Sequence, residues 1–200
     1  MADRNVLGQS ALTGLAIPGP LGAATAVPGV RIREITDFAA IGVIARRGKS
    51  AEVAEILSRH VGSPVADASQ RAGTTRLSAV GTAPGQWLVV GRGDGVALLE
   101  SLRADLSGHA AVTDQGDGRL IVEIAGPCAR DTLAKGIAID LDASAFKVGD
   151  AAQTSTAHIG LQIALVDDTP TFEIISARST AGNLWSWLVA SAAEYGIEVI

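Results

Sequence analysis

The stretch FEIISARSTAGNLWSWL, residues 172–188, begins as an apolar run and continues, after a polar elbow, as a segment with two tryptophans. The apolar run predicts a buried β-strand, and the spacing of the apolar residues that follow predicts a helix. An earlier stretch has the same order, because QWLVVG at 86–91 precedes a segment whose leucines recur at helical spacing. We therefore expect one strand-to-helix unit that occurs twice.

Working outward from these units, each half of the chain shows the order strand–helix–strand–strand–helix–strand. The first half is expected to contain a strand at 38–46, a helix capped by Ser50, strands at 75–80 and 86–91, the leucine-rich helix, and a strand at 109–113. The second half is expected to contain a strand at 119–124, a helix between Gly126-Pro127 and Gly136, an extended segment at 154–166 bent at Gly160, a strand at 171–176, a helix from Ser179, and a strand at 196–200. This order predicts an α+β fold with duplicated split βαβ, ferredoxin-like halves, as pseudo-repeats at about 38–114 and 119–200.

The segment at 1–28 is rich in glycine and proline and has no hydrophobic periodicity. Proline interrupts helices, and glycine raises the entropy that is lost on ordering. We interpret this segment as an extended arm in front of a domain at 29–200. The arm could be a disordered tail, or it could wrap around a partner.

The composition excludes several classes of protein. The 200 residues carry a net charge of −5 without a basic cluster, so nucleic acid is not an expected partner. No apolar run approaches the roughly 20 residues of a membrane span, and we expect no signal peptide. Because Cys128 is the only cysteine, no internal disulfide can form, and we expect a cytoplasmic protein. The mean hydropathy of +0.31 has two explanations, a richness in Ala and Val or apolar surface that another subunit covers.

Candidate chemical groups are few. Cys128 lies at a predicted helix start, where a thiolate would be stabilised, but no histidine is near it in sequence and we interpret it as a packing residue. His60, His109 and His158 do not have the spacing of metal ligands. We therefore expect no catalytic, cofactor-binding or metal-binding residue in this chain.

Two loops resemble ligand sites. GRGDG at 91–95 follows a predicted strand, but it lacks the third glycine of a dinucleotide loop, so we expect Asp94 to cap the next helix. The pair Asp167-Asp168 joins two predicted strands, where aspartate is typical of a turn.

The polar elbow of the opening stretch offers no base or acid that could activate a serine, so Ser179 is predicted to cap the helix. Arg178 could bind an anion, or pair with Glu173 or with an acid of a partner, and we favour a pairing. In the helix, Trp185 belongs to the apolar stripe, whereas Trp187 lies about 200° around the axis from it. Trp187 and Arg178 are therefore the predicted interface residues, because exposed Trp and Arg often anchor interfaces.

Three segments resemble the folate-binding domain of the aminomethyltransferase family: RLIVEIAGPCARDTLAKGIAIDL (119–141), TSTAHIGLQIALVDD (154–168) and FEIISARSTAGNLWSWLVASAAEYGIEV (172–199). Within that superfamily, the chain resembles the gamma subunits of heterotetrameric sarcosine oxidases. The resemblance covers residues 30–200, and its most specific elements are the IAGP turn, the HIGLQIAL strand and the strand–SARS–helix unit.

The resemblance implies a non-catalytic structural or assembly subunit of a flavin-dependent oxidoreductase complex that acts on CH–NH donors. Such complexes oxidise sarcosine to glycine and form hydrogen peroxide and, with tetrahydrofolate, methylenetetrahydrofolate. The resemblance also implies alpha, beta and delta subunits as partners. FAD, FMN, NAD, zinc and tetrahydrofolate are then expected in those partner subunits.

This sequence departs from its folate-binding relatives in the turn before the Phe-Glu-Ile strand. Those proteins carry a glutamate there, and Thr169 occupies the corresponding place. A hydroxyl cannot make the charge-assisted, bidentate contact of a carboxylate. The alternatives are the small subunit of a related N-methyl amino acid dehydrogenase, such as one for N-methylglutamate, or a stand-alone folate-binding aminomethyltransferase-like protein, which the missing carboxylate disfavours.

Overall fold

The structure, a computed structural model, describes residues 9–200, which form two leading strands and two halves. The leading strands are β1 (Gly19–Leu21) and β2 (Val30–Ile35). The first half contains β3 (Ala39–Ala45), α1 (Ser50–Val61), β4 (Arg71–Gly73), β5 (Leu77–Ala83), β6 (Gln86–Gly91), α2 (Gly95–Asp105) and β7 (Ala110–Asp114). The second half contains β8 (Arg119–Ala125), α3 (Ala129–Ala134), β9 (Ala151–Thr156), β10 (Ile159–Asp167), β11 (Thr171–Ala177), α4 (Ala181–Ala192) and β12 (Ile197–Val199).

The strands form a five-stranded sheet of order β4-β5-β6-β3-β7 and a seven-stranded sheet of order β1-β12-β2-β8-β11-β10-β9. In the first sheet, the order β5-β6-β3-β7 is that of a split βαβ unit. The second sheet repeats it as β10-β11-β8-β12, with β2 inserted between β8 and β12. The predicted fold class, α+β with duplicated ferredoxin-like halves, is therefore confirmed.

The alternation of side chains along the strands divides the core into layers. On β6, Trp87 and Val89 pack against α1 and α2, whereas Leu88 and Val90 pack against the other sheet. Helices α3 and α4 cover the outer face of the seven-stranded sheet. The layers are thus helices, sheet, sheet and helices. Because both faces of the central strands are buried, strands such as QWLVVG are nearly continuous apolar runs.

Several strands differ from the sequence-based expectation. The segment expected to extend through 154–166 is instead the hairpin of β9 and β10, in which Ala157 and His158 turn the chain with φ of 45° and 64°. Residues other than glycine rarely adopt such angles, so the turn has no sequence signal. Gly160 lies within β10. Strand β2 was not predicted, because charged residues interrupt the apolar pattern of VRIREI.

Neither serine that was predicted to cap a helix does so. Lys49 is the N-cap of α1, and Ser50 is the first helical residue. Ser179 lies in a short 3₁₀ turn that precedes α4, which makes Thr180 the N-cap residue there. The prediction for Asp94 is confirmed, because its carboxylate accepts a hydrogen bond of 3.0 Å from a backbone N–H in the first turn of α2.

The described part of the predicted arm at 1–28 packs on the domain. Leu12 is buried in the core with residues of α4. The carboxylate of Glu34 accepts a hydrogen bond of 2.9 Å from the backbone N–H of Ala11, and β1 pairs with β12 at the edge of the seven-stranded sheet. Residues 1–8 lie outside the described part. The boundary at residue 28 and the wrapping of a partner stay predictions.

The apolar stripe predicted for α4 is confirmed, and it separates the two tryptophans. Trp185 is only 6% exposed and lies in the main core. Trp187 is half-buried, with its indole against Gly136. A Cβ at Gly136 would lie 2.8 Å from the indole nitrogen, so this glycine makes room for the ring.

We expect Trp185→Ala to lower the free energy of unfolding by about 3–5 kcal/mol, because the substitution leaves a cavity in the core. Trp187→Ala should lower it by clearly less, since part of that ring already faces solvent. Urea unfolding of both variants, followed by circular dichroism, measures the difference. Equal losses of stability would contradict this division of the two rings.

Candidate functional site

Charged side chains form a row across three neighbouring strands of the seven-stranded sheet. The register places Arg33 of β2 directly beside Glu123 of β8, and Glu123 directly beside Glu173 of β11. Like charges directly opposite each other destabilise a sheet. The pair Glu123 and Glu173 therefore needs positive charge from elsewhere.

The other sheet supplies that charge. Arg71, the first residue of β4, and Arg92, which follows β6, extend between the two sheets. Arg92 Nη2 lies 3.6 Å from Glu123 Oε1 and 3.6 Å from Glu173 Oε2, while Arg71 Nε lies 3.6 Å from Glu173 Oε1. Arg33 Nε donates a hydrogen bond of 3.2 Å to Glu123 Oε2.

The five residues form an alternating series of charges, Arg33–Glu123–Arg92–Glu173–Arg71, which we call the ion chain. Arg92 separates the two carboxylates and interacts with both. At 3.6 Å, its contacts are longer than hydrogen bonds, so they act mainly through charge. The ion chain joins strands of the first half to strands of the second half. It is therefore an electrostatic tie across the space between the sheets.

The ion chain is buried at one end and open at the other. The side chains of Glu173 and Arg71 are only 3% and 6% exposed, whereas that of Arg33 is 51% exposed. Burial raises the pKa of Glu173, and the charges of Arg71 and Arg92 offset this only in part. Burial is also the main cause of the lowered pKa of Arg92. The charged groups therefore lie opposite one another in a largely buried row.

The polar elbow does not join this cluster. Arg178 follows β11 and lies on the surface, where its guanidinium donates a hydrogen bond to the backbone carbonyl of Gln9. The pairing with Glu173 is therefore a wrong prediction, because the Glu173 side chain lies between the sheets. The Ser176 hydroxyl is buried and has no hydrogen-bond partner among the described residues.

The other candidate groups lie apart from one another. Cys128 is half-buried at the start of the short helix α3. His60 Nε2 lies 2.9 Å from Asp105 Oδ2. The imidazole of His109 is partly buried, and His158 lies in the β9–β10 turn. Within residues 9–200, no three His, Cys, Asp or Glu side chains are grouped as a metal site would require. In the same part of the chain, no helix is long and apolar enough to cross a membrane.

The turn that contains Thr169, where the sequence differs from its folate-binding relatives, is held by hydrogen bonds among its own residues. Asp167 Oδ1 accepts hydrogen bonds from the backbone N–H of Thr169, at 2.9 Å, and from its hydroxyl. The Thr169 hydroxyl also lies 3.0 Å from the hydroxyl of Thr171. Burial opposes ionisation of Asp167, but the hydrogen bonds from Thr169 and Thr171 together outweigh it and lower the pKa. The Thr169 hydroxyl is thus engaged within the turn, and position 169 does not provide the charged, bidentate contact that a carboxylate makes.

The comparisons with known proteins cover nearly the whole chain. Residues 45–194 match the model of the family described as sarcosine oxidase, gamma subunit. The same fold occurs in a chain of the heterotetrameric sarcosine oxidase from Corynebacterium sp. U-96, solved in complex with pyrrole 2-carboxylate. The two chains superpose with a TM-score of 0.80 and 22% sequence identity, and the match covers 94% of this chain and 95% of that one. No curated protein matches by sequence.

A second solved structure has a related fold. It is aminomethyltransferase T of the glycine cleavage system from Bartonella henselae, with a TM-score of 0.60 and 16% identity. The match covers 86% of this chain but only 47% of the transferase, so this chain spans about half of that protein.

We expect Arg71→Met to lower the free energy of unfolding by about 3–5 kcal/mol at neutral pH, because it leaves the buried Glu173 carboxylate short of positive charge. The folded-state pKa of Glu173 lies above its unfolded value. The stability associated with this group is therefore present at low pH and is lost as pH rises through that pKa. The loss of unfolding free energy caused by Arg71→Met should thus be smaller at pH 5 than at pH 8. Urea unfolding at pH 5 and pH 8 measures this trend.

Two further variants control this prediction. Combining Arg71→Met with Glu173→Gln should restore part of the lost stability, since it removes the uncompensated carboxylate. Arg59→Met breaks an exposed ion pair with Glu55 and should change stability little. A pH-independent loss in Arg71→Met, with no recovery in the double variant, would mean that Arg71 acts through packing and not through its charge.

Proposed function

The chain belongs to the sarcosine oxidase gamma subunit family and is thus a subunit of that oxidase; we propose that it is the non-catalytic, structural subunit of a heterotetrameric complex. The observation that carries the proposal is that the family match extends through both halves of the fold. A subunit of this kind contributes surfaces and rigidity, and the partner chains contribute the chemistry.

The arrangement of charges supports a structural role. The charged residues between the two sheets interact with one another and connect the two halves, as a structural role would require. We propose that the complex oxidises sarcosine to glycine in the cytoplasm. In this proposal it forms hydrogen peroxide and, with tetrahydrofolate, methylenetetrahydrofolate.

The cofactors belong, in this proposal, to the alpha, beta and delta subunits, which hold FAD, FMN, NAD, zinc and tetrahydrofolate. The turn at Thr169 supports this assignment for tetrahydrofolate, because position 169 carries a hydroxyl instead of a carboxylate, and Asp167 and Thr171 already engage that hydroxyl. The same observation disfavours a stand-alone folate-binding protein.

Co-expression with and without this chain tests the proposal. With the alpha, beta and delta subunits, the chain should co-purify in a yellow complex that oxidises sarcosine, whereas the chain alone should be colourless and inactive. Omission of the chain should lower the yield of assembled enzyme. A fully active oxidase that assembles without the chain, leaving it as a stable monomer, would overturn the proposal. Oxidation of N-methylglutamate in place of sarcosine would assign the chain to the related dehydrogenase.

Trp187 and Arg178 stay the proposed contacts with a partner. Trp187→Ala should weaken assembly about tenfold, as truncation of an aromatic anchor does at other interfaces. Asn183→Ala, at an exposed position of the same helix, is the matched control and should leave assembly unchanged. Titration of the purified variants into the remaining subunits, followed by size-exclusion chromatography, gives the comparison. If both variants assemble like the parent chain, the indole is not a contact.

A further inference from the structure

The ion chain contains more positive than negative charge. Its three arginines and two glutamates leave one positive charge without a partner. The series also begins and ends with arginine, so the surplus lies at its ends. At the buried end, Arg71 Nη2 donates a hydrogen bond of 2.9 Å to the backbone carbonyl of Thr74. The other end, at Arg33, is open to solvent.

A cavity of about 440 Å³ lies at this open end. Its charged and hydroxyl-bearing residues are Arg33, Asp37, Thr75, Arg76, Arg92 and Glu123. These side chains also carry one surplus positive charge. The cavity is therefore expected to attract anions.

Two of the arginines that line this cavity have N–H groups without a hydrogen-bond partner among the described residues. Arg92 Nη1 is buried and has no hydrogen-bond partner, although a buried N–H without a partner destabilises a fold. Arg76 lies beside it, because the backbone N–H of Arg92 donates a hydrogen bond of 2.9 Å to the Arg76 carbonyl. Within residues 9–200, the structure gives the Arg76 guanidinium no ion pair and no hydrogen bond. Arg76 thus offers free N–H donors at the cavity, and Arg92, which also lines it, has a buried N–H that lacks a partner in the same part of the chain.

We propose that this cavity is a carboxylate-binding site, with Arg76 and Arg92 as the residues that hold the ligand. A carboxylate carries one negative charge, which matches the surplus, and it accepts two hydrogen bonds from arginine N–H groups. A phosphate dianion fits less well, because Asp37 and Glu123 would repel its second charge. The bound carboxylate would complete the alternation of charge that the ion chain begins.

Two sources can provide this group. One is a free small carboxylate, and the other is an aspartate or glutamate side chain of a partner subunit. The second source rests on the proposed function, whereas the site itself does not. The experiment therefore begins with the full chain alone and small anions.

Acetate is titrated into the ¹⁵N-labelled full chain at constant ionic strength, and the Nε–Hε resonances of the arginines are followed by NMR. We expect saturable shifts with a dissociation constant on the order of 1 mM and weaker binding of inorganic phosphate. Arg76→Gln should weaken acetate binding about tenfold, the effect of losing one charge-assisted hydrogen bond. Arg103→Gln, which changes another exposed arginine, should bind acetate like the parent chain.

Arg76 is exposed, so its variant should fold normally, and an unchanged amide spectrum verifies this. Arg92→Gln is the second test, although it also removes a member of the ion chain. Shifts that grow linearly without saturation, or equal acetate binding in the parent chain and in Arg76→Gln, would overturn the proposal.

The assembled oxidase distinguishes the two sources. Saturation transfer from the complex to the methyl protons of acetate, lost in Arg76→Gln, would identify a site for a free carboxylate. If the parent complex gives no transfer and Arg76→Gln weakens assembly, a partner's carboxylate occupies the site. Both results support the site. If the complex does not assemble, the acetate titration of the isolated chain decides whether the site exists.

Discussion

A carboxylate buried between two sheets constrains the rest of this structure. Glu173 lies in the middle of β11, at only 3% exposure, on the face that meets the other sheet. A charge in such a place destabilises a fold unless opposite charge is nearby. The two nearest cations, Arg71 and Arg92, both come from the other half of the chain. The halves must therefore dock in one register, because a shift along the strands would separate the carboxylate from both guanidinium groups.

Duplication explains why the charges are arranged between the halves. Each ferredoxin-like half covers one face of its sheet with its own helices and leaves the other face open. The open faces share a small apolar cluster that includes Leu88, Val90, Ile121 and Ile175. Beside this cluster, the second half contributes two glutamates and the first half contributes two arginines. Opposite charges across the contact favour pairing of unlike halves over pairing of two identical ones, which specifies how the halves associate.

The sequence predicts features that depend on neighbouring residues better than contacts between residues that are far apart in the chain. Strand β6 and the stripe of α4 are local patterns, and the structure confirms both. The cap at Ser179 fails because a 3₁₀ turn shifts the helix start by one residue, which local propensity does not specify. The ion chain is not predictable from any single segment. Arg33 and Glu123 are 90 residues apart in sequence, and only the strand order brings them together. The one hint of the ion chain in the sequence is a charged residue inside an apolar run, as Glu173 is in FEIIS.

The layered architecture also accounts for much of the high mean hydropathy. In a four-layer fold, central strands are buried on both faces, so they need apolar residues at consecutive positions. On β6, every residue after Gln86 is buried, and on β10 and β11 most residues are. Buried strands thus account for much of the mean hydropathy of +0.31. The evidence for a partner is the family match. Two exposed apolar side chains agree with it, Leu21 in the edge strand β1 and Ile17 just before that strand.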